Sequence, residues 1–319
     1  MSTIKIMCIL ICILTVAGCS GKPYKVGIAL WGSETLYPDS IAGFKESLAR
    51  EGFTEGENIQ YVTTSADFDI TTHIKNIEFL LHNDVDLIYS MSAQGTLIVK
   101  ATAPQTPIVF QAPFIIETSV IDSFEHSGGN LVGVQTYVPA SRQYDYLKQL
   151  FPSLKKIIFL RHRNEIQSQF QIKEFTFFFE RNGVNIIDSQ ITNSEDLLSM
   201  SEQIKSADVI YISCDPKLHQ FIDAIITTAD QFGKPLVSCI NYVARKGGIF
   251  HIGPDYSVIG RLNGYKAARI LQGEKLSNIK IEIPTNEYII INLDAAQKLN
   301  INVPELVLEN ADEIIGESR

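Results

Sequence analysis

Residues 85–111, VDLIYSMSAQGTLIVKATAPQTPIVFQ, decide the fold of this chain. The run Val85–Met91 is apolar and rich in β-branched and aromatic residues, which predicts a buried strand. Gly95–Ala103 has the composition of a helix, and Pro107–Gln111 is a second apolar run. A strand, a helix and a strand in this order predict one β-α-β unit, whose two strands lie parallel in a sheet.

The same alternation continues in both directions from this unit. Two doubly wound α/β lobes with parallel sheets are therefore expected, one of five strands and one of four before the C-terminal elements are added. The first lobe is assigned residues 25–136 and 252–280, and the second 137–251 and 281–319. The further predicted strands are Lys25–Trp31, Ile59–Thr64, Leu131–Gln135, Lys156–Arg161, Val184–Gln190, Asp208–Ser213, Leu236–Ile240 and Glu287–Asn292. The further predicted helices are Ser40–Arg50, Ile70–His82, Gln169–Arg181, Asp196–Lys205, Lys217–Phe232 and Val258–Gln272.

Composition and motifs argue against several classes of function. The 319 residues are 45% hydrophobic and carry a formal net charge of −9 without a basic stripe, so no nucleic-acid partner is expected. The nucleophile-elbow, zinc-protease and phosphate-loop motifs are absent, and the 6 histidines are dispersed. We therefore expect a protein that is not an enzyme and has no metal or cofactor.

The N-terminus has the pattern of an export signal. Lys5 precedes the uncharged run Ile6–Val16, which is too short to span a bilayer comfortably, so residues 1–18 are predicted to be a signal peptide. Residues 14–20, LTVAGCS, resemble the lipobox of bacterial lipoproteins, with Cys19 as the lipidated residue and residues 19–24 as a linker. The alternative is an uncleaved anchor in which Cys19 is incidental. The resemblance to a lipobox implies that the protein lies outside the cytoplasm, attached by a lipid to a bacterial membrane.

Two cysteines, Cys214 and Cys239, remain in the body of the chain, each near the end of a predicted strand. A disulfide is possible in an oxidising compartment. Two buried free thiols are the favoured alternative, because cysteine is often buried without pairing. A Cα separation beyond about 7 Å would exclude the bridge.

The candidate binding residues follow the carboxyl ends of the predicted strands. Open α/β sheets bind ligands at this edge, where helix N-termini present unpaired N–H groups. Ser92 and Asp215 also fit a capping role. Ser92 comes just before a predicted helix, and Asp215 precedes a proline. The alternative to ligand contact is a position in the hydrophobic core for Trp31 and packing at the hinge for Tyr137. The predicted ligand-binding residues are Trp31, Ser33, Glu34, Ser92, Gln94, Phe114, Tyr137, Arg163, Glu165, Gln167, Ser168, Asp215 and Asn241.

Several segments resemble the ABC transporter substrate-binding proteins whose relatives bind tryptophan and other aromatic amino acids. The segments include Gly43–Lys45, Glu51–Asn58, Gly129–Val134 and Ile291–Ala296. The resemblance implies a type I periplasmic-binding-protein fold, in which two lobes joined by three crossovers close on a ligand. It also implies that the chain is an importer component with a permease as partner. Matching positions for the ligand's carboxylate and amino groups are Ser92, Glu165–Ser168 and Asp215.

Two departures from the family pattern concern the ligand. Phe114-Ile115-Ile116 replaces a motif that contains an acid, and Arg161-His162-Arg163-Asn164 brings two arginines. Arginine offers a rigid fork to carboxylate or phosphate, which suggests a more acidic ligand than an ordinary aromatic amino acid. Solvated surface arginines are the alternative. A second hypothesis for the whole chain is a sensory module that docks a receptor or histidine kinase ectodomain. With either function, the protein is expected to be a monomer.

Overall fold

The computed structural model describes residues 22–33, 37–124, 129–285 and 287–317. Its first sheet has five parallel strands in the order β2-β1-β3-β4-β5. These strands are β1 Tyr24–Leu30, β2 Ile59–Ser65, β3 Leu87–Met91, β4 Ile108–Ala112 and β5 Leu131–Gln135. The helices between them are α1 Pro38–Arg50, α2 Ile70–His82 and α3 Ala93–Thr102.

The second sheet has seven strands in the order β12-β11-β10-β9-β8-β6-β7, with only the β10–β11 pair antiparallel. The chain also forms two short 3₁₀ helices, Pro216–Phe221 and Leu276–Asn278. The strands are β6 Lys156–His162, β7 Asn185–Ile191, β8 Val209–Ile212, β9 Leu236–Ser238, β10 Phe250–Pro254, β11 Glu287–Asn292 and β12 Glu313–Ile315. The helices are α4 Ala140–Leu150, α5 Ile166–Arg181, α6 Asp196–Ser199, α7 Ser201–Ser206, α8 Ile222–Phe232, α9 Asn241–Lys246, α10 Tyr256–Leu271, α11 Leu293–Lys298 and α12 Glu305–Glu309.

The chain passes between the two lobes three times. It leaves the first sheet after β5, returns after β10 so that α10 packs against α1, and leaves again between residue 282 and β11. Near the last crossing, Glu282 forms a parallel bridge with Val134 of the first lobe. The expected α/β fold of two parallel-sheet lobes is confirmed. The return to the first lobe expected at residue 252 is not found there, because β10 pairs with β9 and β11 of the second sheet up to Pro254.

Helices α1 and α10 approach each other closely because glycines line their contact. A Cβ atom on Gly260 would overlap the Ser40 carbonyl oxygen, and one on Gly264 would overlap that of Phe44. From α1, Gly43 meets the Ser257 backbone in the same way. The pair covers one face of the first sheet and buries Phe44, which stacks on Tyr89 of β3 with ring centroids 4.1 Å apart.

Other predicted boundaries shift for local reasons. The helix expected over 196–205 is interrupted at Met200, and the one expected over 217–232 begins as the 3₁₀ turn at Pro216. Helices α4 and α9 and strand β12 lie in stretches without a predicted element. Within the described ranges, no helix combines the length and apolar character needed to cross a membrane. The predicted signal peptide and Cys19 lie outside the described residues.

Candidate functional site

A cavity of about 490 Å³ lies between the lobes, where the carboxyl ends of both sheets face each other. Strand β3 leads into it from the first lobe and strand β8 from the second. Both lobes contribute polar and aromatic side chains. The lining includes Tyr37, Ser92 and Gln111 of the first lobe and Gln167, Cys214 and Asn241 of the second.

Two helices begin at the cavity. Ser92 caps α3, and its Oγ accepts a hydrogen bond from the Gly95 N–H at 3.1 Å. Gln167 lies in the first turn of α5, where its Nε2 donates to the Cys214 carbonyl at 2.6 Å and its Oε1 accepts from the Ala93 N–H at 3.5 Å. Because helix N-termini carry positive partial charge, this part of the cavity suits an anionic group.

Asp215 and Ser168 lie behind the cavity wall, and both are fully buried. The Asp215 carboxylate accepts hydrogen bonds from the His162 and Lys217 N–H groups at 2.8 and 3.0 Å, so it caps the following 3₁₀ turn. Burial, reinforced by the nearby Glu165 carboxylate, raises the pKa of Asp215 to about 8. The Ser168 hydroxyl donates to the Glu165 carbonyl at 2.9 Å.

A cluster of four side chains, which we call the clasp, joins the lobes beside the cavity. Trp31 of the first lobe donates its indole N–H to Glu165 Oε1 at 3.3 Å. The Lys217 ammonium lies 3.2 Å from the same oxygen. It also lies over the rings of Trp31 and Phe68, 5.5 and 5.9 Å from their centroids. Burial raises the pKa of Glu165, although Lys217 opposes the shift. The clasp holds the lobes in contact, which is a closed arrangement.

On another side of the cleft, three aromatic rings meet. Phe114 of the first lobe packs on Tyr137 of the crossover, with centroids 4.2 Å apart, and lies 6.4 Å from Phe170 of the second lobe. Phe114 and Tyr137 are both buried, and neither contributes to the cavity wall. Their packing joins the lobes at the hinge.

Arg161 and Arg163, the two arginines that depart from the family pattern, do not line the cavity. Arg161 forms a two-pronged ion pair with Asp188 of β7, at 2.7 and 2.8 Å, and Arg163 is exposed. Ser33 and Gln94 are partly exposed and also lie outside the cavity lining, and Glu34 lies outside the described residues. Of the predicted residues, the structure brings Ser92, Gln167 and Asn241 together in the cavity wall.

Other residues of the cavity wall were not predicted from the sequence. Tyr37 immediately precedes α1, Tyr256 begins α10, and Tyr242 and Arg245 lie on α9, with Tyr242 as its second residue. Arg245 forms a two-pronged ion pair with Glu313, at 3.1 and 2.7 Å, so its charge is already compensated. These wall residues could have been found from the sequence by locating where each helix starts. Pro38 marks the start of α1, and Asp255 caps α10.

A disulfide joins Cys214 and Cys239 at the cavity wall, with Cα atoms 5.3 Å apart. The favoured expectation of two free thiols is therefore wrong. The bridge links the carboxyl ends of neighbouring strands β8 and β9. Gln171 of α5 supports it by accepting from the Cys214 N–H at 2.9 Å.

Comparisons with known proteins agree with this architecture. The family model of ABC transporter substrate binding proteins matches residues 26–315. A tyrosine-binding protein from Clostridioides difficile strain R20291 is 24% identical over 284 residues, covering 88% of this chain and 82% of that protein.

Among solved structures, an ABC domain in complex with L-Trp from Streptococcus pneumonia superposes with a TM-score of 0.86 at 21% identity. A ligand-free, open substrate-binding protein with adhesive properties from Clostridium difficile gives 0.72 at 22% identity. Each alignment covers 92% of this chain and 100% of the other. These similarities confirm the type I periplasmic-binding-protein fold. With the family model matching nearly the whole described chain, this protein belongs to the family of ABC transporter substrate-binding proteins.

Proposed function

We propose that the protein binds an amino acid with an aromatic side chain and delivers it to an ABC importer. The observation that carries the proposal is the interlobe cavity, which joins two helix N-termini to a wall containing Tyr37, Tyr242 and Tyr256. The N-termini of α3 and α5 suit a carboxylate. Aromatic walls suit a ring, since aromatic pairs gain about 0.5–1.5 kcal/mol beyond burial of their area. The tyrosine-binding and tryptophan-bound relatives support the same ligand class.

In this proposal, binding shifts the protein from an open to a closed state. A ligand that contacts both lobes stabilises only the arrangement in which the lobes meet. The closed surface then docks on the permease, while a lipid on Cys19 holds the protein at the outer side of the membrane. Replacing Cys19 by serine should release the protein from membranes and abolish labelling with radioactive palmitate. Labelling that survives this substitution would contradict the anchor.

The binding proposal is tested by isothermal titration of ligand-free protein with L-tyrosine, L-tryptophan and L-phenylalanine. L-glutamate, ribose and glucose 6-phosphate serve as comparison ligands. Binding of at least one aromatic amino acid, and of none of the comparison ligands, is expected. Binding of L-glutamate or the sugar phosphate alone would overturn the proposal.

The Arg163→Ala variant tests the hypothesis of a more acidic ligand in the same titrations. We expect unchanged dissociation constants, because the Arg163 side chain is exposed and does not line the cavity. A large loss of affinity in this variant would restore the acidic-ligand hypothesis.

A further inference from the structure

The disulfide of the second lobe joins two chain segments that both form part of the cavity wall. Strand β8 pairs with β9 only as far as Ile212. Beyond that point, residues 213–216 follow β8 and residues 239–242 follow β9, and both segments reach the cavity. The bridge between Cys214 and Cys239 therefore connects the two segments just beyond the place where backbone pairing ends.

The segment that follows β8 is held in place by several other contacts. Gln171 of α5 accepts from the Cys214 N–H at 2.9 Å, and its Nε2 lies 3.4 and 3.7 Å from the two sulfur atoms of the bridge. The Cys214 carbonyl accepts from Gln167 at 2.6 Å. The Asp215 carboxylate joins the segment to β6 through the His162 N–H. This side of the wall therefore keeps its position even without the bridge.

The segment that follows β9 depends more on the bridge. The Ile240 N–H donates to the Ser238 hydroxyl at 2.9 Å, which is a contact between near neighbours in the chain. Asn241 then begins α9, which has only 6 residues and cannot stabilise itself. The later part of α9 is fixed, because Asn292 donates to the Ala244 carbonyl at 2.8 Å. The bridge therefore fixes the start of α9, which is the part that reaches the cavity.

Side chains from the two segments also meet in the cavity wall. The ring of Tyr242, on α9, packs on the ring of His219 in the 3₁₀ helix after β8, with centroids 4.7 Å apart. Both rings line the cavity together with Cys214 and Asn241. Opening the bridge removes the fixed spacing between the segments, so the wall spends less time in the shape that fits a ligand. Affinity falls in proportion to that fraction of time.

We propose that the Cys214–Cys239 bridge positions the cavity wall for the ligand, so that the redox state of the pair sets the ligand affinity. The oxidised protein binds more tightly than the reduced protein. This inference rests on the proposed function, because it assumes that an aromatic amino acid occupies the cavity beside Tyr242.

Reduction is an exchange with a dithiol. Cys214 is partly exposed and lines the cavity, whereas Cys239 is 1% exposed, so a thiolate of the reductant attacks the Cys214 sulfur. The bond between the two sulfurs breaks, and Cys239 leaves as a thiolate that takes up a proton. The second thiolate of the reductant then displaces Cys214, which also takes up a proton. Two electrons and two protons pass to the protein, and the reductant leaves as a cyclic disulfide.

The first test uses Cys239→Ala, which opens the bridge without changing a side chain of the cavity wall. Isothermal titration with L-tyrosine, L-tryptophan and L-phenylalanine compares this variant with the parent. The dissociation constant of each amino acid that binds the parent should rise about tenfold in the variant. An unchanged constant would overturn the inference and leave the proposed function standing. If the parent binds none of the three, the proposed function fails and the inference fails with it.

Leu150→Ala is the matched control for lost stability. Leu150 is a buried residue of α4 in the core of the same lobe, and it does not line the cavity. This variant should melt at a lower temperature than the parent and keep the parent's dissociation constant. A constant that rises equally in Leu150→Ala and Cys239→Ala would overturn the positioning role, because lost stability alone would explain it.

The second test uses the unaltered protein. The disulfide and dithiol forms are brought to equilibrium in mixtures of reduced and oxidised dithiothreitol, with and without the amino acid that binds. Because binding and reduction are linked, a tenfold preference for the oxidised form lowers the equilibrium constant for reduction tenfold at saturation, a shift of about 30 mV to more negative potential. A constant that the ligand leaves unchanged, or a bridge that stays oxidised in reduced dithiothreitol, would overturn redox control of affinity.

Discussion

At the scale of single residues, the buried ionisable side chains Asp215 and Arg161 near the cleft form hydrogen bonds and ion pairs within the protein. Asp215 was proposed both as a ligand contact and as a cap, and the structure shows its carboxylate on the backbone N–H groups of His162 and Lys217. Capping could be predicted because it depends on neighbours in the sequence, here the following Pro216. Arg161 pairs with Asp188, 27 positions away, and a pairing across two strands has no local signal.

His251 provides a test of buried charge. Its ring lies in the core of the second lobe, fully buried with both nitrogens unpartnered, and burial lowers its pKa to about 3. The unfolded chain takes up a proton below about pH 6.5 while the folded protein does not, so His251 makes the protein less stable as the pH falls. As the pH falls from 6 to 4, the unfolding free energy of His251→Leu should rise relative to that of the parent by about 1.4 kcal/mol per pH unit.

Urea unfolding of both proteins at several pH values measures this difference, and the other titrating groups cancel in the comparison. His82→Leu is the control, because His82 is an exposed histidine at the end of α2. A difference between His251→Leu and the parent that does not change with pH would contradict the burial of a neutral ring.

At the scale of elements, the disulfide between the ends of β8 and β9 provides the next prediction. The bridge closes a loop of 25 residues, which in the chain-entropy model stabilises the fold by about 3.5 kcal/mol. The double variant Cys214→Ala, Cys239→Ala should lose about this unfolding free energy in denaturant. Dithiothreitol should lower the stability of the parent by a similar amount and leave the variant unchanged. A parent insensitive to the reductant would show that the bridge does not contribute.

Several elements with a clear apolar pattern were predicted accurately, among them the short strand β5. Strand β11 was predicted with its observed bounds, and α2 likewise. Helix α9 was missed because its 6 residues are too few to show a helical repeat, and β12 because 3 residues at a sheet edge carry almost no pattern. The cavity residues Tyr242 and Arg245 lie on α9, so missing that helix also meant missing part of the wall.

At the scale of the whole molecule, the clasp should bias the protein toward closure. Lys217→Met removes the cation that accompanies the Glu165 carboxylate, which is buried in this closed arrangement of the lobes. An unpaired buried charge is strongly unfavourable, so the open state gains population and ligand affinity should fall about tenfold or more. Trp31 is the only tryptophan in the chain, so its emission reports on the clasp directly.

Titration followed by Trp31 fluorescence measures both effects in one experiment. Lys205→Met is the matched control, because Lys205 also combines a carboxylate, Glu202, with an aromatic ring, Phe232, but within one lobe. Unchanged affinity and emission in Lys217→Met would mean that the clasp does not influence closure.

The three crossings of the chain also set the order in which the protein can be completed during synthesis. The N-terminal half contains the five strands of the first sheet, but α10, which seals one face of that sheet, comes after residue 255. The second sheet in turn waits for β11 and β12 near the C-terminus. Neither lobe therefore contains all of its packing elements until α10 and β11 have been synthesised, so the completion of both lobes waits for the last part of the chain.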